Sequence, residues 1–155
     1  MKVSPESRLE ELGLTLPPCP PNTSNYLGTV TVGDLVFVAG HGPFKDGELI
    51  HKGRVGEDMD VETAVEAAQL VALNMLSTLK AEFGELSRIK RVVKLLIMIN
   101  SAPDFDRHQM IANGASDLMV DVFGENGKHA RSTVGMAALP LGLAVEAEGV
   151  FQIIS

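Results

Sequence analysis

The segment Val92-Val93-Lys94-Leu95-Leu96-Ile97-Met98-Ile99 constrains the fold more than any other part of this chain. Seven of its eight side chains are apolar, with only Lys94 interrupting. A strand sends successive side chains to opposite faces, so a strand over 91–100 needs apolar cover on both sides. The last strand, predicted over 143–154, is more one-sided. Leu143, Val145, Ala147, Phe151 and Ile153 share one face, and Glu146 and Glu148 share the other.

Two helices are available to cover this sheet. Asp60 can cap a helix over 61–83, and Gly84 sits where a glycine ends one. Ala64, Ala68, Val71, Met75 and Leu79 recur at spacings of three and four, which gives a single apolar stripe. A second helix is predicted over 105–123, ending at Gly124. Before the first helix, Thr29–Val32 and Leu35–Ala39 flank Gly33-Asp34, a hairpin pattern. Gly40-His41-Gly42-Pro43 reads as a loop, and a short strand over 48–51 follows the turn Lys45-Asp46-Gly47. A strand over 131–136 follows the loop Gly124-Glu125-Asn126-Gly127, and Leu139-Pro140 with Gly142 turns the chain into the last strand. The order ββ(β)αβαββ is that of an α+β protein with a mixed sheet and two helices packed on one face. The second sheet face then needs further copies of the chain to cover it, so a homo-oligomer is expected.

At 155 residues the chain is expected to form a single domain, residues 1–155. Residues 1–24 read as an N-terminal extension and 25–155 as the core. In the extension, Ser4-Pro5-Glu6 starts a short helix, Gly13 stops it, and a proline-rich stretch runs extended to Pro21. No apolar run approaches the roughly 20 residues of a membrane span, and the charged N-terminus lacks the apolar segment of a signal peptide, so a cytoplasmic location is expected. The formal net charge of −7, without a basic run interleaved with aromatics, disfavours nucleic acid as a partner. Cys19 is the single cysteine, lies among prolines, and reads as a spacer. His41, His51, His108 and His129 show no metal-ligand spacing, so no metal site is expected.

No P-loop, GxGxxG, HExxH or GxSxG pattern is present. The candidate chemistry lies in Lys128-His-Ala-Arg131-Ser-Thr133-Val-Gly-Met-Ala-Ala-Leu-Pro140 and the strand after it. Arg131 falls where a glycine-bearing loop meets a strand, and its planar fork suits a carboxylate. The plainer reading of Arg131 is a surface ion pair with one of the chain's twenty acids. Glu146 and Glu148 read plainly as solvated charges that would repel each other if buried without partners.

Arg131-Ser-x-Val-x-x-x-x-Leu139-Pro140 followed by Val145-Glu146-Ala147-Glu148 resembles the C-terminal signature of the RidA/YjgF family, also known as endoribonuclease L-PSP. Asn25-Tyr26 and Val36-Phe37-Val38-Ala39-Gly40-His41 resemble its first hairpin, and the likeness runs from about Tyr26 to Ile153. The N-terminal extension and the segment around Asp104 to Met110 mark a longer branch. The resemblance implies a chorismate-mutase-like fold assembled as a trimer with clefts between subunits. It implies hydrolytic deamination of reactive 2-imino or enamine acids, of the 2-iminobutanoate and 2-iminopropanoate type, to 2-oxo acids and ammonia. No cofactor is implied. In that reading Arg131 clamps the substrate carboxylate and Glu146 holds or activates the attacking water. Tyr26, the Gly40 backbone, Asn113 and Thr133 line the cleft. Thr133 stands where many members carry cysteine, and His41 where many carry glutamine.

Three other readings compete with the deaminase. They are a non-catalytic trimeric module binding small carboxylates, an endoribonuclease, and a chorismate mutase, which would need several cationic residues around a dicarboxylate. The net charge argues against the nuclease.

Overall fold

The computed structural model describes residues 3–155, so the first two residues of the predicted extension lie outside it. Helix α1 spans Pro5–Glu11, capped by the Ser4 hydroxyl, which accepts from the Ser7 amide at 3.1 Å. Strands β1 (Thr29–Val32) and β2 (Leu35–His41) form the first hairpin. Strands β3 (Phe44–Lys45) and β4 (Glu48–Leu49) form a second, short one. Its turn residues, Asp46 and Gly47, both have positive φ. Helix α2 (Val61–Phe83) is followed by β5 (Ile89–Asn100), α3 (His108–Phe123), β6 (Ala130–Met136) and β7 (Val145–Ile153).

The main sheet has the order β1-β2-β7-β5-β6. Every pairing is antiparallel except β5–β6, where α3 carries the chain over as a βαβ unit. The sheet is mixed, as predicted, and α2 and α3 lie together on one face. Val36, Val38, Val92, Leu95, Ile97, Ile99, Val145, Ala147 and Phe151 are buried beneath them. Helix α2 has the bounds and both caps expected from sequence: Asp60 accepts from the Thr63 amide at 2.8 Å, and Gly84 has φ 85°.

The other face lacks a covering layer in the single chain. Val30, Val32, Phe37, Leu96, Met98, Val134 and Val150 share it by register with Lys94, Glu146 and Glu148. Phe37 is 48% exposed and Val32 63%.

Three expectations from sequence change. Gly40 and His41 do not begin a loop, because β2 continues through them. Val38 is level with Gly149 and His41 with Ala147, so three steps on β2 oppose two on β7, which is a β-bulge. Pairing with the long β7 outweighs the local preference of the glycine. The second core helix starts at His108 rather than Phe105, because the Phe105 amide closes a turn on the Ala102 carbonyl at 3.0 Å. The N-terminal segment, read as an extension outside the core at 25–155, contributes side chains to that core. Leu9 is 4% exposed, and Leu14 and Leu16 pack on the core. The Glu6 carboxylate accepts from the Leu86 amide at 2.7 Å.

A polar seam on α2 holds these loops. Asn74, Ser77 and Thr78 are buried at helical spacing on one side of the helix. The Asn74 amide donates to the Phe44 and Gly42 carbonyls at 2.7 and 3.1 Å. The Ser77 hydroxyl donates to the Pro17 carbonyl at 2.5 Å. A proline run builds no ladder, so its carbonyls need side-chain donors of this kind.

Helix α3 crosses α2 at Gly114, where an added Cβ would run into the Val65 carbonyl. Gly114→Ala is therefore expected to lower stability by about 1–3 kcal/mol despite its better helix propensity. Urea unfolding followed by circular dichroism measures this, and an unchanged midpoint would refute the close approach.

Candidate functional site

The predicted site residues fall into two groups. Tyr26, Gly40 and Glu146 line one cavity of about 660 Å³. Gly40 lies directly against Glu146: a Cβ there would stand 2.5 Å from the Glu146 Oε1. The bulge in β2 brings this bare stretch of backbone up to the carboxylate. Glu146 is half-buried, and this desolvation raises its pKa above the ordinary carboxylate range, helped by the like charge of Glu148. Tyr26 is half-exposed at the rim.

The extension supplies another wall of this cavity through Pro18, Cys19 and the residues up to Thr23. Cys19 is exposed, with its Sγ 3.9 Å from the Thr78 Oγ1. His41 lies beneath, 7% exposed. Its Nδ1 is 2.5 Å from the Ala39 carbonyl, and its Nε2 is 2.7 Å from the Thr78 hydroxyl. A carbonyl only accepts, so Nδ1 carries the proton. Burial lowers the His41 pKa and keeps the ring neutral. Leu141 also borders the cavity, at φ 58°, a strained value for a branched residue without the freedom of glycine.

Arg131, Asn113 and Thr133 form the second group. The Arg131 Nη1 donates to the Asn113 Oδ1 at 2.9 Å and to the Ser116 Oγ at 3.1 Å. Asn113 and Ser116 lie one turn apart on α3, so one helix face presents both acceptors. Among the described residues no acid pairs with Arg131, which removes the plain reading of a surface ion pair. Thr133 lies two residues on, on the same face of β6, and its buried hydroxyl has no hydrogen-bond partner. A hydroxyl without a partner on the same strand face as a guanidinium without an anion leaves donors free for one.

One chain does not bring the two groups together. Glu146 is level with Met98 and Val134, on the sheet face without helices. Arg131 is level with Leu95, which is buried under the helices. Their side chains point to opposite faces, with β5 between their strands. His41, noted in the sequence where many family members carry glutamine, lies at the first group, whereas Thr78 and Ser116 gave no sign in the sequence of being site neighbours. His129 read as an isolated histidine, although His129-x-Arg131 is the alternation that puts both on one face of a strand.

A mixed sheet under two helices, with a carboxylate cavity on one side and an unpaired arginine on the other, defines an α+β protein of chorismate-mutase-like architecture. Residues 6–146 match the family described as "YjgF/chorismate mutase-like, putative endoribonuclease", and the chain belongs to that family. It is 40% identical over 148 residues to Protein TCP17 of Trypanosoma cruzi, covering 95% of this chain and 92% of that protein. The crystal structure of Atu1372 from Agrobacterium tumefaciens, a protein of unknown function, is 42% identical, with a TM-score of 0.91 over 97% of this chain and 92% of that one. A structure from Shewanella oneidensis that also carries the endoribonuclease description is 33% identical, with a TM-score of 0.94 over 97% of this chain and all of that one.

The orphan hydroxyl of Thr133 yields a stability prediction. Thr133→Val keeps the shape and removes a buried group without a partner, so the variant is expected to be more stable by about 1 kcal/mol. Its urea midpoint relative to wild type measures this, and a lower midpoint would mean that the hydroxyl is already satisfied.

Proposed function

We propose that the protein hydrolyses reactive 2-imino and enamine acids, of the 2-iminobutanoate and 2-iminopropanoate type, to 2-oxo acids and ammonia. The sites would form between copies of the chain in a homotrimer, with Arg131 from one copy facing Glu146 of another. The observation that carries this reading is the Arg131 guanidinium, held by Asn113 and Ser116 and left without an internal anion. The uncovered apolar sheet face supports the assembly.

Arg131 would bind the substrate carboxylate, with the Thr133 hydroxyl as a second donor. Water adds to the imine carbon while Glu146 takes a proton from it. Starting from the protonated imine, this addition gives a carbinolamine. Glu146 returns that proton to the nitrogen, takes the hydroxyl proton as the C–N bond breaks and the C=O bond forms, and releases it to solvent, leaving the 2-oxo acid and ammonia. A carboxyl with a raised pKa suits both roles, because it is a stronger base than an ordinary carboxylate and keeps its proton, and so can act as an acid, to higher pH. Tyr26 and the Gly40 backbone would shape the cleft around the imine.

Coupling the protein to a threonine dehydratase, with semicarbazide to trap free imine, tests the reaction. Wild type is expected to suppress the semicarbazone. Arg131→Ala is expected to lose about 10–100-fold in kcat/KM, the worth of charge-assisted hydrogen bonds. Glu146→Gln is expected to lose about 10²–10⁴-fold in kcat. Neither variant alone completes a site. A 1:1 mixture refolded together is expected to regain about a quarter of wild-type activity, because random assembly pairs an intact Arg131 with an intact Glu146 at that frequency. No recovery in the mixture would overturn the shared site. Binding of 2-oxobutanoate without any protection from the trap would favour the carboxylate-binding module. Cleavage of defined RNA by wild type but not by Arg131→Ala would favour the nuclease description that the family carries.

The pH dependence has a fixed sign. Glu146 must be ionised to accept a proton, and the negative charge of Glu148 holds its pKa up. Glu148→Gln is therefore expected to move the acidic limb of kcat to lower pH, and movement to higher pH would contradict this electrostatic coupling.

A further inference from the structure

We propose that His129 and Ser116 are positioning residues, a directed hydrogen-bond relay that turns the Nε/Nη2 edge of Arg131 outward to receive a carboxylate. This rests on the reading of Arg131 as the carboxylate clamp.

The direction of every bond in the relay follows from chemistry. The His129 Nδ1 lies 2.6 Å from the Gly127 carbonyl, which only accepts, so Nδ1 carries a proton. Burial, with the Arg131 charge, lowers the pKa of His129, and the hydrogen bond to Gly127 opposes this only in part. The ring is therefore neutral at neutral pH and Nε2 is bare. Nε2 is 2.9 Å from the Ser116 Oγ and must accept the hydroxyl proton. With that proton committed, the Ser116 oxygen has lone pairs to offer the Arg131 Nη1 at 3.1 Å. The Asn113 Oδ1 takes the second Nη1 hydrogen at 2.9 Å. Both hydrogens of Nη1 are thus spent. The Nε hydrogen and those of Nη2 remain as a side-on fork, the geometry that grips a carboxylate with two parallel bonds.

Protonating His129 reverses the relay. Nε2 becomes a donor, Ser116 must accept from it, and the serine proton turns toward Arg131. A second positive charge also appears next to the guanidinium. The neighbouring charges do little to offset this. Lys128 adjoins His129 and pairs with Glu125 at 2.8 Å, and Arg91 of β5 reaches the Lys128 carbonyl at 3.5 Å. The contacts from α3 come from Ser116 and Asn113, which are uncharged. The fork is therefore intact at neutral pH and is lost only as pH falls through the lowered pKa of His129, on the acid side of the ordinary histidine range.

The test uses 2-oxobutanoate, a stable carboxylate, titrated calorimetrically into the full-length protein from pH 8 to pH 5. Wild type is expected to bind more weakly as His129 protonates. His129→Gln and Ser116→Ala are expected to bind about 2–10-fold more weakly at pH 8 and to lose the pH dependence, while Ser116→Thr, which keeps the hydroxyl, restores both. Equal affinity and an equal pH profile in wild type and His129→Gln would overturn the relay. A second readout needs neither ligand nor variant: ¹⁵N spectra of the wild-type side chains. These are expected to show the Nδ1–H tautomer of His129, and Arg131 Nε–H exchange that accelerates as His129 titrates. An Nε2–H tautomer, or Arg131 exchange indifferent to that titration, would overturn the relay even if 2-oxobutanoate does not bind. Failure of binding alone would count against the carboxylate clamp, leaving the spectra to decide the relay.

Discussion

Two helices cover one face of a five-stranded sheet and leave the other without a layer, and most features of this protein follow from that imbalance. The helix-side residues of β5 and β7 make a dry core that would satisfy a single chain. The opposite side of the same strands repeats the apolar character with Leu96, Met98 and Val150, and adds Val30, Phe37 and Val134 from their neighbours. Charges on that ground are poorly hydrated. Lys94 answers by donating to the Ser132 hydroxyl at 2.6 Å. Glu146 has no such partner among the described residues, so its desolvation appears as a raised pKa.

The helix side solves a related problem twice with the same device. His41 and His129 each fix the proton of Nδ1 on the carbonyl two residues earlier in the chain. Each then offers a bare Nε2 to a hydroxyl on a helix, Thr78 of α2 or Ser116 of α3. Local backbone geometry sets the tautomer, and the tautomer sets which way the hydroxyl points. One hydroxyl faces the cavity that holds Glu146, and the other faces Arg131. Burial keeps both rings neutral, so the device works only because the helices exclude water from it.

Local signals made part of this legible in the sequence. Asp60, the apolar stripe and Gly84 define α2 without reference to the rest of the chain, and the two-faced run from Val92 to Ile99 announces an interior strand. Features that depend on distant partners were not legible. Gly40-His41-Gly42-Pro43 carries every mark of a loop, yet β7 captures its first half as a bulged strand, because backbone groups beside a long interior strand are better paired than solvated. The extension gave no sign that Leu9 would be buried or that Pro17 would meet Ser77, since both depend on where α2 and α3 lie. Arg131 and Glu146 could be named from their motif, and Glu146 could be set opposite the apolar face of its strand, but the face of Arg131 could not be read. Fifteen residues, a turn and two register relations separate them.

That difference in face has a consequence for how the chain can work. Side chains on opposite faces of a sheet cannot converge on one small molecule, because the backbone ladder lies between them. Arg131 does sit on β6, the edge of the sheet, where no further strand closes off the approach. An edge side chain anchored by Asn113 and Ser116 can face outward past the end of its own layer. Glu146 itself points to the uncovered face, where a neighbouring copy would rest. Under the proposed function, the Arg131 edge and the Glu146 cavity would therefore be complementary between copies in a way that they cannot be within one chain, and a neighbour that covered the apolar face would also have the arrival of its edge fixed by that face.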